Sequence, residues 1–197
     1  MEITNTEVYG LKKSVIASGY PMSTGIDKCY ISTGDMDRAD KLSRNQPGTG
    51  HNCFLKGITV QADITAPQYW WLQFGRYHFA DIVSSQSKMH CITEMDIKEQ
   101  CNKYVLGTVY EELKWAIRKY QSSIEKENPA TSPSEWFQIV VSNCPMGLQL
   151  TARITTNYLQ LKTMHKQRRN HRLQEWQEFC DWIESLEQSE WITDNGN

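Results

Sequence analysis

The sequence predicts an α+β fold, and three observations carry that reading. Residues 54–65 are rich in β-branched side chains (Ile58, Thr59, Val60, Ile64, Thr65) and read as one strong strand. Several later segments repeat apolar residues at helical spacing. The composition, 39% hydrophobic and 22% charged, is that of a globular chain and not a disordered one. One strong strand with several helices belongs to the α+β class.

The elements follow in order. Residues 1–30 read as irregular or strand-like, broken by Gly10, Gly19, Pro21 and Gly25. Residues 1–45 together read as a loop-rich N-terminal cap on a single domain spanning 1–197. Asp35 is placed to cap a short helix over 36–44. Residues 46–50, Gln-Pro-Gly-Thr-Gly, read as a turn or mobile loop. After the strand at 54–65, Pro67 suits the first turn of a helix running to about Arg76. That helix carries Tyr69, Trp70, Trp71 and Phe74, apolar most of the way round, which predicts burial.

Residues 77–89 are Ser-rich and read as irregular. Over 105–126, Leu106, Val109, Leu113, Ala116 and Tyr120 fall at helical spacing. Pro129, Ser132 and Pro133 break the chain before a further helix over 134–143. Two more helices are expected over 151–164 and 173–186. In the second, Leu173, Trp176, Phe179, Cys180, Ile183 and Leu186 form one apolar stripe.

Bulk properties narrow the function. The 197 residues suffice for a core without staples. The formal net charge of −2 offers no general attraction for nucleic acid or an anionic membrane. No apolar run approaches the ~18 residues of a membrane span. The polar start Met1-Glu2-Ile3-Thr4-Asn5 lacks the pattern of a signal peptide, so a cytoplasmic location is expected. The six scattered cysteines, with no Cys-x-x-Cys pair, are expected to be free thiols. Seven tryptophans and nine tyrosines suit a core and a subunit interface, or a site where rings stack on a planar ligand.

No histidine and cysteine spacing fits a zinc site, and no Gly-rich phosphate loop is present. Nothing marks one cysteine as an activated nucleophile. Two cationic groups stand out. Arg76 and His78 follow the aromatic helix, and Lys162, His165, Lys166, Arg168, Arg169, His171 and Arg172 form a basic cluster. Such a cluster is a solvated connector or a phosphate site, since arginine offers phosphate a bidentate fork. A nucleic-acid surface is a third reading, opposed by Glu175, Glu178, Asp181 and Glu184 close by.

The order of these residues resembles a known family. His51-Asn52-Cys53-Phe54-Leu55-Lys56-Gly57-Ile58-Thr59-Val60, then Ala66-Pro67, Gln73, Arg76 and Ser87-Lys88, resembles the core of the flavin-dependent thymidylate synthases. Ala152-Arg153-Ile154-Thr155-Thr156-Asn157-Tyr158-Leu159-Gln160-Leu161-Lys162 resembles that family's Asn-Ala-Arg…Asn-Phe-Leu-x-Leu-Arg block, and His171 resembles the residue before its Gln-Trp-Glu. The resemblance covers roughly residues 51–90 and 137–185.

It implies a mostly antiparallel sheet flanked by helices, and a homotetramer with sites between subunits. It implies FAD as cofactor, dUMP or a related pyrimidine nucleotide as substrate, and NADPH and methylenetetrahydrofolate as co-substrates. Carried over by position, His51, Tyr77, His78, Arg153, Asn157 and His171 would contact the flavin. Gln73, Arg76, Ser87, Lys88, Gln138 and Lys162 would contact the nucleotide, with Lys162 and Arg76 in catalytic roles. A cation against the pyrimidine oxygens would stabilise charge that develops as C5 attacks, and reduced flavin would supply hydride.

The departures are specific. Val83 and Ser84 stand where the family signature has Asn-Glu, and Gln86 falls on its second Ser, with Ser87 one residue away. Gln138 stands for an expected Arg, and His78 loses a permanent charge. Lys162 in place of Arg lacks the planar fork. Arg168, Arg169 and Arg172 are candidates to replace the missing phosphate contacts. Three readings follow: a divergent flavin-dependent nucleotide-methylating enzyme, a non-catalytic nucleotide-binding or protein-interaction relative, or a nucleic-acid binder acting through 162–172.

Overall fold

The computed structural model describes residues 1–26, 29–46, 48–127 and 129–194. Pro47 of the expected turn at 46–50 lies outside them. In chain order the elements are β1 (Glu2–Tyr9), α1 (Leu11–Ala17), α2 (Thr33–Ser43), β2 (Thr59–Pro67), α3 (Gln68–Phe74), β3 (Ala80–Ser85), α4 (Lys88–Cys91), α5 (Ile97–Gln100), α6 (Gly107–Ile124), α7 (Pro133–Ser142), β4 (Gln149–Asn157), α8 (Tyr158–Arg168), α9 (Gln174–Glu184) and α10 (Glu190–Thr193). Short 3₁₀ helices lie at Tyr20–Met22 and Cys53–Gly57. The class is α+β, with a four-stranded antiparallel sheet in the order β1-β2-β4-β3.

The alternation of β2 makes the sheet two-faced. Val60, Ala62, Ile64 and Ala66 are buried while Thr59, Gln61, Asp63 and Thr65 are only partly covered. On β4, Ala152, Ile154 and Thr156 are buried in the same rhythm. Side chains of period two put every second residue on the core face.

The structure departs from the sequence reading in six places. The N-terminal region is not mainly loop: β1 falls in the stretch read as irregular or strand-like and α2 matches the expected short helix, but α1 was not anticipated. Most of β1 is exposed, so it lacks the apolar alternation that would announce a strand, and it forms by pairing with β2. Ser32, not Asp35, caps α2. The Ser32 hydroxyl accepts from the Asp35 backbone N–H, and the Asp35 carboxylate accepts from the Ser32 N–H at 2.8 Å, a reciprocal capping box. The stretch 54–65 divides into a 3₁₀ turn and β2. Pro67 closes β2, and α3 begins one residue later.

The fifth departure is β3, in the stretch read as irregular. Only its first residue is buried, so no one-sided pattern exists to be read. The last is β4, read as the start of a helix. The β-branched run Ile154, Thr155, Thr156 takes the strand, and helical spacing begins only at Tyr158. Of the other helices, α6 and α9 lie where periodicity places them and α7 follows the break at Pro133, while α4, α5 and α10 were not anticipated.

The chain forms two compact units. The first comprises Met1–Ile64, Phe74–Val83 and Arg153–Asn197. Its core includes Val15, Leu55, Ile58, Phe74, Ile154, Tyr158, Leu161, Met164, Trp176, Phe179, Ile183 and Trp191, each without exposed surface or nearly so. The joint between β1 and α1 is Gly10, at φ 78°. A Cβ there would lie 2.4 Å from the Gly57 carbonyl oxygen, so both the left-handed backbone and the close approach require glycine.

The second unit comprises Thr65–Gln73 and Ser84–Ala152. Ile92, Ile97, Leu113, Ala116, Ile117, Val140 and Leu148 form its core. Thr65 and Thr151 share a hydroxyl hydrogen bond of 2.7 Å across β2 and β4, and the Trp71 indole donates to the Leu150 carbonyl at 3.0 Å. Of the aromatic helix, Trp70 is fully buried and Leu72 is 67% exposed. Among the described residues no helix is long and apolar enough to cross a membrane.

Candidate functional site

A pocket of about 360 Å³ opens in the first unit where β4 turns into α8. Lys56, Phe79, Asn157, Leu159, Gln160 and Thr163 line it. Asn157 makes the turn. As the last residue of β4 it is extended, and its side-chain oxygen accepts the Gln160 N–H at 2.9 Å. This is the N-cap geometry that asparagine favours. Tyr158, the first helical residue, donates its N–H to the Ile58 carbonyl at 3.1 Å, and its buried hydroxyl donates to the Glu187 carbonyl. The start of α8 is thereby fixed on both sides.

Phe79 is held by its backbone, whose carbonyl accepts the Thr156 hydroxyl at 2.8 Å, while its ring stands 67% exposed. Phe79 and Leu159 give the pocket apolar walls. The Lys56 ammonium and the N-terminal end of α8 supply positive potential, the usual setting for an anionic group. Among the described residues, neither the Asn157 amide nitrogen nor the Lys56 ammonium has a hydrogen-bond or ion-pair partner. A planar ring bearing carbonyls or a nearby anion fits this combination. Ligand pockets span roughly 300–1,000 Å³, so this one takes a single ring system and not a whole dinucleotide.

A second cluster joins two segments that are far apart in sequence. The Arg168 Nε donates to the Tyr77 hydroxyl at 2.7 Å, and that hydroxyl donates to the Gln167 side-chain oxygen at 3.0 Å. The Arg168 guanidinium lies 4.5 Å from the Trp176 ring centre and 5.6 Å from that of Tyr77. His171 packs edge-on to Trp176 at 6.3 Å, and its Nδ1 accepts the Leu173 N–H at 3.1 Å. Burial first, then the charges of Arg168 and Arg172, push the His171 imidazole below its ordinary value. Tyr77, Arg168 and His171 thus meet around one indole.

The other expected site residues are placed as follows. His51, Arg76 and His78 are exposed. Gln138 is exposed on α7, and Gln73 is half-buried on α3. Ser87 precedes α4, and Lys88 donates to the Gln68 side-chain oxygen at 2.9 Å. Arg153 is engaged within the sheet: its guanidinium pairs with Glu7 on β1 and with Asp63 on β2, and donates to the Asn5 carbonyl at 3.0 Å. Arg169 pairs with Asp181 at 2.6 Å and Glu184 at 3.2 Å, so it is neutralised within its own surface.

Lys162 departs most from its implied role. Its side chain is fully buried. The ammonium donates to the backbone carbonyls of Ser43 at 2.9 Å, Trp191 at 3.4 Å, and Asp194, which leaves no face for a ligand. Burial lowers its pKa from the usual lysine range, with the Asp194 carboxylate opposing that shift.

Of the expected site residues, Asn157 alone lines the pocket. Lys56, Phe79, Leu159, Gln160 and Thr163 escaped the sequence reading. Lys56 lay inside the His51–Val60 block, and Leu159 and Gln160 inside the Asn157–Lys162 block, which was the available signal. Phe79 fell in a stretch read as irregular. All six cysteines are unpaired. Burial pushes the Cys180 thiol up to about 11, and raises those of Cys101 and Cys144, the opposite of an activated nucleophile. Among the described residues no group of three acidic, histidine or cysteine side chains converges as metal ligands do.

No protein-family model matches the chain, and no curated protein matches it in sequence. Solved structures do match it in fold. The flavin-dependent thymidylate synthase ThyX from Helicobacter pylori, complexed with FAD and dUMP, superposes with a TM-score of 0.73 at 12% identity, over 100% of both chains. A second crystal structure of Helicobacter pylori ThyX with FAD and dUMP gives 0.71 at 12%, over 97% of this chain and 96% of that one. The UMP/dUMP methylase PolB from Streptomyces cacaoi, bound with 5-Br dUMP, gives 0.60 at 13%, over 93% and 89%. The fold is that of the ThyX-like proteins.

Proposed function

We propose that this protein binds a flavin of the FAD type together with a pyrimidine nucleotide, on a ThyX-like scaffold. The pocket at the start of α8 carries the reading. It joins Asn157, the position the resemblance assigns to flavin contact, to an apolar wall and a cationic rim. A flavin ring fits these residues: Phe79 and Leu159 would supply apolar contact, Asn157 an amide donor, and Lys56 a positive charge against developing or resident negative charge. The rest of the dinucleotide would extend outside the pocket, as its volume requires. Bound in its reduced form, a flavin supplies hydride. The solved structures of the same fold hold FAD with dUMP, or 5-Br dUMP, which supports this ligand class.

A second reading adds catalysis: reductive methylation of dUMP or a related nucleotide, with methylenetetrahydrofolate and NADPH as co-substrates and a homotetramer as the working form. The match of nearly the whole chain to both a thymidylate synthase and a UMP/dUMP methylase favours it. The enclosed ammonium of Lys162 favours the binding reading, because the cation meant to steady the pyrimidine is occupied by the chain itself.

The test is flavin retention. The purified protein is loaded with FAD, desalted, and its visible absorption measured with and without dUMP. A retained band that shifts with dUMP is expected. Phe79→Ala, at an exposed ring that costs the fold little, should weaken retention by about tenfold, the effect of losing ~1.4 kcal/mol of binding. No retained flavin and no change in melting temperature with dUMP would reject both readings. A flavin band without thymidylate formation would reject the second alone.

A further inference from the structure

We infer that Lys162 is a positioning residue that couples the pocket at the start of α8 to the seat of the C-terminal segment. The inference rests on the flavin-binding reading of that pocket. Lys162 lies on α8 between Gln160 and Thr163, which line the pocket, and its own side chain points away into the core. There it meets the end of α2, through the Ser43 carbonyl, and the end of α10, through the Trp191 and Asp194 carbonyls. Carbonyls at helix C-terminal ends are left without intrahelical partners and carry partial negative charge. The ammonium is therefore held by two helix ends, and it ties α8 to both.

A second part of the pocket lining is tied to the same segment. Lys56 belongs to the 3₁₀ turn Cys53–Gly57, and Phe54 of that turn packs edge-on to Trp191 at 5.7 Å. The Trp191 indole is buried and donates to Asp40 on α2 at 2.6 Å. Arg44 pairs with the Asp194 carboxylate at 3.2 Å, which closes the seat from outside. Residues 191–194 thus grip both parts of the lining, α8 through Lys162 and the 3₁₀ turn through Phe54. A ligand that fixes the walls favours the seated segment, and by reciprocity a seated segment favours the ligand. Anything that draws the C-terminal segment away would lower affinity at a pocket it does not touch.

The test is hydrogen–deuterium exchange on the full chain with FAD as probe. In the natural protein FAD should slow amide exchange over residues 190–194 as well as 158–163. In Lys162→Met, FAD affinity should fall by about fivefold or more, and exchange at 190–194 should no longer respond to FAD. A lysine with a merely structural role would lower stability yet leave the response of 190–194 to FAD intact, and that outcome would overturn the inference. Should Lys162→Met fail to fold, Trp191→Phe, which removes the bond to Asp40 and shrinks the ring packed on Phe54, serves in its place. If the natural protein binds no FAD, the flavin reading fails by itself. The coupling is then read without ligand: Trp191→Phe should speed exchange over 158–163, and unchanged exchange there would reject it.

Discussion

Single side chains in this protein owe their roles to their immediate neighbours more than to their type. Arg153, Lys162 and Arg169 are three cations that look available in sequence, yet each is engaged by the chain itself. His171 shows the same dependence in its titration. Its folded pKa lies below the ordinary 6.5, chiefly through burial. The unfolded chain therefore binds the proton more readily, and stability rises with pH across this window. The contribution is complete above the ordinary histidine value and is lost as pH falls through the lowered one. An NMR titration should place the His171 midpoint below 6.5, and Arg172→Gln should move it upward. A midpoint at or above the ordinary value would contradict the packing described. Deep in the sheet, Ile154→Ala should cost about 2–5 kcal/mol by denaturant unfolding, the range for emptying a closed site.

Elements are set by their ends. The start of α8 depends on Asn157, and Asn157→Ala should lower stability by about 1 kcal/mol through loss of the cap. Asn157→Asp keeps the acceptor and adds charge favourable to the helix dipole, so it should hold stability while weakening an anionic ligand. Equal stability loss in both variants would argue against the capping bond. The turn from β1 to α1 depends on Gly10. Gly10→Ala should cost more than about 1 kcal/mol, since left-handed backbone alone costs ~1–2 kcal/mol in other residues and the Gly57 carbonyl blocks the new methyl group. Thermal unfolding of this variant measures it directly.

At the scale of the whole molecule the formal net charge is −2, and among the described residues Arg169 of the basic cluster is paired with Asp181 and Glu184. Lys162 and His165, two members of the basic cluster, are buried. Binding to a single-stranded oligonucleotide at physiological salt should be no tighter than the nonspecific range, a Kd of about 10⁻⁴ to 10⁻⁶ M. Tight, salt-sensitive binding lost on Arg172→Ala would restore the nucleic-acid reading. The fold itself matches solved structures with which the chain shares only 12–13% of residues. Such agreement without sequence identity is expected where the constraint is which faces are buried and not which residues bury them.

Local physics was enough for a part of this. The helical periods of α6 and α9, the proline start of α7 and the β-branched run of β2 follow from rules that act within a few residues. The α+β class was legible for that reason, whereas Asn157 became a residue of interest only through the resemblance to the flavin-dependent thymidylate synthases. The tertiary structure decided what depends on distant partners. β1 and β3 expose most of their residues and exist by pairing, so no one-sided pattern marks them. Phe79 and Lys56 meet at the pocket only because β3, β4 and the 3₁₀ turn converge there. Lys162 reads as a surface cation until α2 and α10 close around it, because burial and hydrogen-bond partners are properties of the fold and not of the residue.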